Sequence, residues 1–287
     1  MISDSTNTWV PSMRRYIDEE ALMKLIQRQG YLDFLRRNRN RPIVKVVSGI
    51  RRCGKSTLFR LFKDELLSEG IKPEQIISIN FEELEYEHLR DYHALYQYIL
   101  ERMQPDEMNY IFLDEIQHVD QFHRVVDSLF VKENTDLYIT GSNAYFMSSD
   151  IATLLTGRYV EIQMLPLSFS EFYHSKYDGN QYSLIPAYES YLRESSFPYT
   201  QQLGGEDFDI QEYLRGLYNT LLLHDVVARL KISDVTILQD IVRYIMSNIG
   251  SLLSPNKIAN SLVSAGRKID NKTVERYLQG LQDSLLL

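Results

Sequence analysis

Apolar and polar positions along the chain fall into two regimes. Between residues 43 and 173, short aliphatic runs alternate with stretches of helical spacing. Ile43, Val44, Val46 and Val47 have the composition of a buried parallel strand, and Leu58, Phe59, Phe62 and Leu66 recur behind them at helical intervals. Further strands are expected at 76–80, 109–113, 137–140 and 159–162, with helices at 93–103 and 122–131. This alternation predicts an α/β fold, a parallel sheet with helices on both faces. After Tyr173 the character changes. Residues 174–208 hold Gly179, Pro186, Pro198, Gly204 and Gly205 among helical patches, and 210–232 reads as one amphipathic helix with Asp225 and Arg229 as a surface pair. Three helices are expected over 235–287. The second opens at Ser254-Pro255, an N-cap followed by proline at the first helical position. The third starts near Asp270-Asn271, directing Val274, Leu278, Leu281 and Leu285 inward and Lys272, Thr273, Arg276 and Gln279 outward. A short helix, a turn containing Gly266 and a helix with a basic polar start predict a helix-turn-helix. The expected domains are a helical lead-in over 1–41, the α/β domain over 42–175, an all-α connector over 176–234 and the helix-turn-helix module over 235–287.

The first strand runs into Gly49-Ile50-Arg51-Arg52-Cys53-Gly54-Lys55-Ser56, with Thr57 next and a helix behind. That is the phosphate-loop pattern in its proper setting, strand before and helix after. The two glycines let the loop bend and bring backbone N–H groups against phosphate oxygens. The helix N-terminus adds unpaired donors and partial positive charge. Residues Gly49 through Thr57 are therefore the expected nucleotide contacts, with Lys55 reaching the β- and γ-phosphates of ATP and the Ser56 hydroxyl binding Mg²⁺. One strand–helix unit further on, Tyr110-Ile111-Phe112-Leu113 ends in Asp114-Glu115. Asp114 is expected to hold Mg²⁺, and Glu115 to orient and deprotonate an attacking water. At the end of the next strand, Asn143 and Ser142 are candidates for a contact to the γ-phosphate or the water, with helix capping as the competing role. Arg158, before the last strand, would supply charge to the transition state in cis or in trans. Glu82 and Glu83, at the end of the second strand, are candidates to face the same site.

Charge and composition narrow this reading. The 287-residue chain carries a net −8, which argues against a surface that coats nucleic acid indiscriminately. From Ser251 onward five Lys/Arg oppose three Asp/Glu, a local excess compatible with double-stranded DNA at Lys272, Thr273 and Arg276. Cys53 is the only cysteine, so no internal disulfide forms, and there is no apolar run of about 18 residues. A cytoplasmic protein with no membrane partner is expected. Upstream, Ala21, Leu22, Leu25 and Ile26 supply a helical stripe that Leu32 and Leu35 extend, ending in a basic run from Arg36 to Arg41 that reads as a solvated helix end.

Taken with VVSGIRRCGKSTL, YIFLDEIQ, YITGSNA, LTGRYVEIQMLPLSFSEF, EYLRGLYNTLLLHDVVARLKI, NIGSLLSPNKIANSL and KTVERYL, the chain resembles prokaryotic AAA-like ATPases related to archaeal-type and STAND ATPases. The resemblance implies an ASCE/AAA-like P-loop NTPase core followed by a region that includes a winged helix. It assigns nucleotide, Mg²⁺ and hydrolysis roles to Lys55, Ser56, Asp114 and Glu115, and matches Arg158 to the family's Gly-Arg position. Members of that family usually continue for about another hundred residues, so this sequence, ending at Leu285-Leu286-Leu287, is expected to lack a further region. The first reading is a Mg²⁺-dependent ATPase whose nucleotide state moves the C-terminal module, with self-association compatible with a trans arginine. The alternative is a nucleotide-gated DNA-binding switch with little hydrolysis of its own. A phosphate-loop kinase ranks third, because Asp114-Glu115 favours activation of water.

Overall fold

The computed structural model describes residues 26–142, 155, 157–177, 182–203, 207–228, 230–232 and 234–287. Helix α1 (Gln29–Asn38) precedes strand β1 (Val44–Gly49), which leads into α2 (Lys55–Ser68). Then follow β2 (Ile76–Asn80), α3 (Tyr92–Arg102), β3 (Asn109–Asp114), α4 (Phe122–Phe130), β4 (Thr135–Ser142) and β5 (Tyr159–Met164). The strands pair in parallel in the order β2-β3-β4-β1-β5. This is the parallel α/β sheet that the hydrophobic pattern predicts. Its order sets β4 between β1, which feeds the phosphate loop, and β3, which ends in Asp114.

Alternation along each strand divides the core. Val46, Ile79, Ile111, Leu113 and Ile139 face α3 and α4 through Leu95, Ile99, Val126 and Leu129. Val47, Tyr110, Phe112 and Tyr138 face α1 and α2, where Phe59 meets Phe112 edge-on at 5.2 Å and Phe112 stacks on Tyr138 at 4.7 Å. Both faces being covered explains why these strands read as nearly continuous apolar runs.

Beyond β5 the described chain is helical: α5 (Phe169–Tyr177), α6 (Leu184–Glu194), α7 (Asp207–Thr220), α8 (Val235–Met246), α9 (Pro255–Ser264) and α10 (Asn271–Asp283). The single helix expected over 210–232 is corrected. Helix α7 ends at Thr220 and Leu221–Ala228 winds as a π-helix. The wider turn hands the apolar stripe from one core to another. Leu217 and Leu221 pack with the sheet, while Leu222 and Val226 pack with α8, α9 and α10. The proposed Asp225–Arg229 pair falls outside the described side chains.

Helix α1 starts at Gln29, with Ile26 ahead of it, and Ala21, Leu22 and Leu25 lie outside the described residues. In α10, Val274, Tyr277 and Leu281 are buried and Leu278 is half-buried; Tyr277, not Leu285, completes the inner stripe. Lys272, Arg276 and Gln279 are exposed, and Thr273 is half-buried, its N–H donating to the N-cap Asp270 at 2.7 Å. Among the described residues no strand flanks α8–α10. Nor is any described helix long and apolar enough to cross a membrane.

Candidate functional site

The loop between β1 and α2 is shaped by two glycines with positive φ, +151° at Gly49 and +104° at Gly54. At Gly49 a Cβ would meet the Met164 carbonyl oxygen at 2.2 Å, so only glycine fits between β1 and β5 there. Between the glycines the side chains diverge. Ile50 is buried among Leu217 and Leu221, and Arg51 pairs with Glu82 at 3.0 Å, joining the end of β2 to the loop. Arg52 is exposed with φ +67°, and Cys53 is fully buried, where desolvation raises its thiol pKa. Helix α2 then starts at Lys55, its first backbone N–H groups lacking partners within the helix.

Lys55 is only 4% exposed. Its ammonium donates to the Gly49 carbonyl at 3.1 Å and lies 3.2 Å from a Glu115 carboxylate oxygen. Asp114 and Glu115 are buried as well, at 7% and 6% exposure. Burial alone would raise the Glu115 pKa, but Lys55, a hydrogen bond from Gln117 and the charge of Arg51 outweigh it, and the net shift is downward. For Asp114 burial prevails over hydrogen bonds from Ser56 and Thr140, and its pKa is raised. Glu115 itself has φ +55°, a left-handed backbone unusual outside glycine, at the point where β3 ends and its carboxylate turns toward Lys55.

Thr140, fully buried in β4, ties these acids together, and the motif reading passed over it. Its hydroxyl donates to Asp114 Oδ1 and accepts the Glu115 backbone N–H at 2.9 Å. Ser56 with Asp114 forms a hard oxygen donor set of the kind Mg²⁺ takes, and Mg²⁺ needs only one or two protein carboxylates when phosphate supplies the rest. Among the described residues no group of three or more His, Cys, Asp or Glu side chains is placed to hold a metal ion.

Residues 41–173 match the family model of an AAA domain. The chain carries an AAA domain. Residues 185–287 match a domain of unknown function (DUF8612). An uncharacterized protein of Haemophilus influenzae is 38% identical over 265 residues, covering 91% of this chain and 66% of its own length. One of Methanocaldococcus jannaschii is 29% identical over 260 residues, covering 85% of this chain and 55% of its own. This chain therefore spans only part of the length of these relatives. Among solved structures, the Walker-type ATPase PABY2304 of Pyrococcus abyssi superposes with a TM-score of 0.59 at 16% identity, over 91% of this chain and 90% of that one. That likeness is one of fold.

The AAA domain does not bring every expected residue to the loop. Arg158 precedes β5, beside the start of β1, where its carbonyl accepts the Val44 N–H at 2.8 Å. Gly49 and the phosphate loop lie five strand residues away, about 17 Å at the usual rise. There the Arg158 guanidinium pairs with Asp127 at 3.0 Å, so in this chain it is not part of the Lys55–Glu115 cluster. Asn143 lies outside the described residues, as does the side chain of Ser142. The basic run at the end of α1 folds onto the AAA domain: Arg36 pairs with Glu65 at 2.7 Å, and Arg39 pairs with Glu69.

Proposed function

We propose that this AAA domain binds ATP with Mg²⁺ and hydrolyses it. The observation that carries the reading is the convergence of Lys55, Asp114 and Glu115 from two separate elements into one buried cluster. Gly49 through Thr57 would cradle the phosphates, with Lys55 released from Glu115 to the β- and γ-phosphates. Ser56 and Asp114 would hold Mg²⁺, which supplies charge neutralisation on the phosphates when bound. Glu115, kept ionised by its cationic neighbours, would then accept a proton from the attacking water. Asn143 remains a candidate contact to that water. Arg158 would act only from a neighbouring copy, which makes self-association part of the reading. A free, buried Cys53 fits a reducing compartment such as the cytoplasm.

A second reading, a nucleotide-gated switch that binds double-stranded DNA, is favoured by the face of α10 that exposes Lys272 and Arg276 next to Thr273. Nucleotide-driven movement of the helices beyond β5 would link the two activities.

ATP binding and turnover of the parent and of Glu115→Gln, with and without double-stranded DNA at low salt, test both. Glu115→Gln is expected to bind ATP and to turn it over at least about 100-fold more slowly. Equal turnover by the two proteins removes Glu115 from the chemistry, and equal ATP affinity in Lys55→Ala removes the nucleotide site itself. DNA binding unaltered in Lys272→Ala and Arg276→Ala removes the second reading, since each lost phosphate contact should lower the salt slope by about one.

A further inference from the structure

Arg28, just ahead of α1, belongs to no motif, yet it is the most heavily bonded charged side chain near the loop. It is 5% exposed. Its guanidinium donates to the Leu165 carbonyl at 2.6 Å and to the Pro166 carbonyl at 3.2 Å. It also grips both carboxylate oxygens of Glu171, at 2.8 and 2.9 Å. A fifth and longer bond, 3.3 Å, reaches the carbonyl of Cys53 in the phosphate loop. Glu171 is fixed from its other side by a reciprocal cap at the start of α5: the Ser168 N–H donates to Glu171 at 2.8 Å, and the Glu171 N–H donates to the Ser168 hydroxyl at 3.2 Å. Burial would raise the Glu171 pKa, but Arg28 and Ser168 bring it below its ordinary value, which favours the carboxylate.

These bonds lie beside a cavity next to the N-terminal half of α2. Thr57 and Leu61 line it from the helix, Gly54 from the loop, Met164 from the end of β5 and Leu167 and Pro198 from the chain beyond it, with Arg28 also in the lining. The lining is mostly apolar and begins where the phosphate cradle ends, which suits a flat aromatic base attached to a phosphate chain. Leu165 and Pro166 have no helix or strand of their own to hold them in place. Arg28 supplies that constraint through a planar fork that lysine cannot reproduce.

We propose that Arg28 is a positioning residue for the base of the nucleotide. It holds the turn after β5 against the phosphate loop and thereby forms the pocket that takes the base. The proposal rests on the nucleotide reading above. Its shorter bonds go to Glu171 and to Leu165 and Pro166, which link the lining residues Met164 and Leu167, and the longest goes to Cys53 of the loop, so its loss acts on the base more than on the phosphates.

The test compares the affinity of Mg²⁺-ATP with that of Mg²⁺-tripolyphosphate, which carries the phosphates without a base, in the parent, Arg28→Lys, Arg28→Met and Glu171→Gln. The parent should bind ATP more tightly than tripolyphosphate. In each variant ATP affinity should fall at least about tenfold while tripolyphosphate affinity stays within about threefold. Arg28→Lys should fare nearly as badly as Arg28→Met, because charge without the fork cannot hold two carbonyls and a carboxylate. Glu171→Gln, the mildest change, keeps the test available where Arg28 variants fail to fold. Equal losses on both ligands, or none on either, overturn the proposal. A parent that binds neither ligand instead overturns the nucleotide reading beneath it.

Discussion

Three side chains at the candidate site announce themselves by type and spacing, and a fourth does not. Lys55 is marked by Gly49 and Gly54 around it, and Asp114-Glu115 by the apolar run before them. Thr140 is one threonine in a strand, with nothing local to single it out. Its role comes from strand order: β4 lies beside β3, and Thr140 sits one step past the Leu113–Ile139 pair, level with the acids. With its hydroxyl replaced by a methyl, the buried Glu115 N–H loses its acceptor and Asp114 loses a donor. Thr140→Val is therefore expected to cost about 1–3 kcal/mol of stability and to slow ATP turnover, while Thr140→Ser keeps most of both. Thermal unfolding and turnover of the two variants decide it. A valine variant as active as the parent would mean that the acids are oriented without the hydroxyl.

Strand β1 shows what a hydrophobic pattern conceals within an element. Its β-branched residues identify the strand, but Lys45 stands among them and is fully buried. Its ammonium pairs with Asp136 of β4, which is 1% exposed and also accepts from the Tyr138 hydroxyl at 2.7 Å and the Asn40 N–H at 2.9 Å. Pairing across β1 and β4 is a long-range fact, so the sequence shows a lysine in an apolar run and not its partner. The same limit hid the winding of Leu221–Ala228, where continuous helical periodicity could not reveal which of two cores each leucine would join. Breaking the ion pair from one side leaves a carboxylate in the core. Lys45→Met is expected to destabilise the protein by about 3–5 kcal/mol, read as a lower urea midpoint at unchanged slope. The double variant Lys45→Met with Asp136→Asn should lose less than the two single losses combined. Strict additivity would show that the pair has no energetic coupling.

At the scale of the whole molecule the unsettled residue is Arg158, because the sequence places it in a family position and the fold places it on the opposite edge of the sheet from the phosphate loop. The backbone separation of about 17 Å is fixed by strand length, and no side-chain rearrangement shortens it. Arg158 is 49% exposed, held by a surface pair with Asp127 of the kind worth about 0–1 kcal/mol and by a contact over the Phe130 ring at 5.7 Å, so it can be given up to a neighbouring surface at modest cost. A site completed by a second copy makes two defects complementary. Arg158→Ala keeps an intact Lys55–Glu115 cluster and lacks the arginine; Glu115→Gln keeps the arginine and lacks the base. Each alone should turn over ATP poorly, the arginine variant falling by as much as the 10³–10⁵-fold, roughly, that such arginines supply, with its ATP affinity unchanged. Mixed, they should recover turnover that neither shows separately, and the recovery should fade on dilution as copies part. A mixture no faster than Arg158→Ala alone would leave Arg158 as a surface partner of Asp127 and confine the chemistry to what Lys55, Asp114 and Glu115 achieve within one chain.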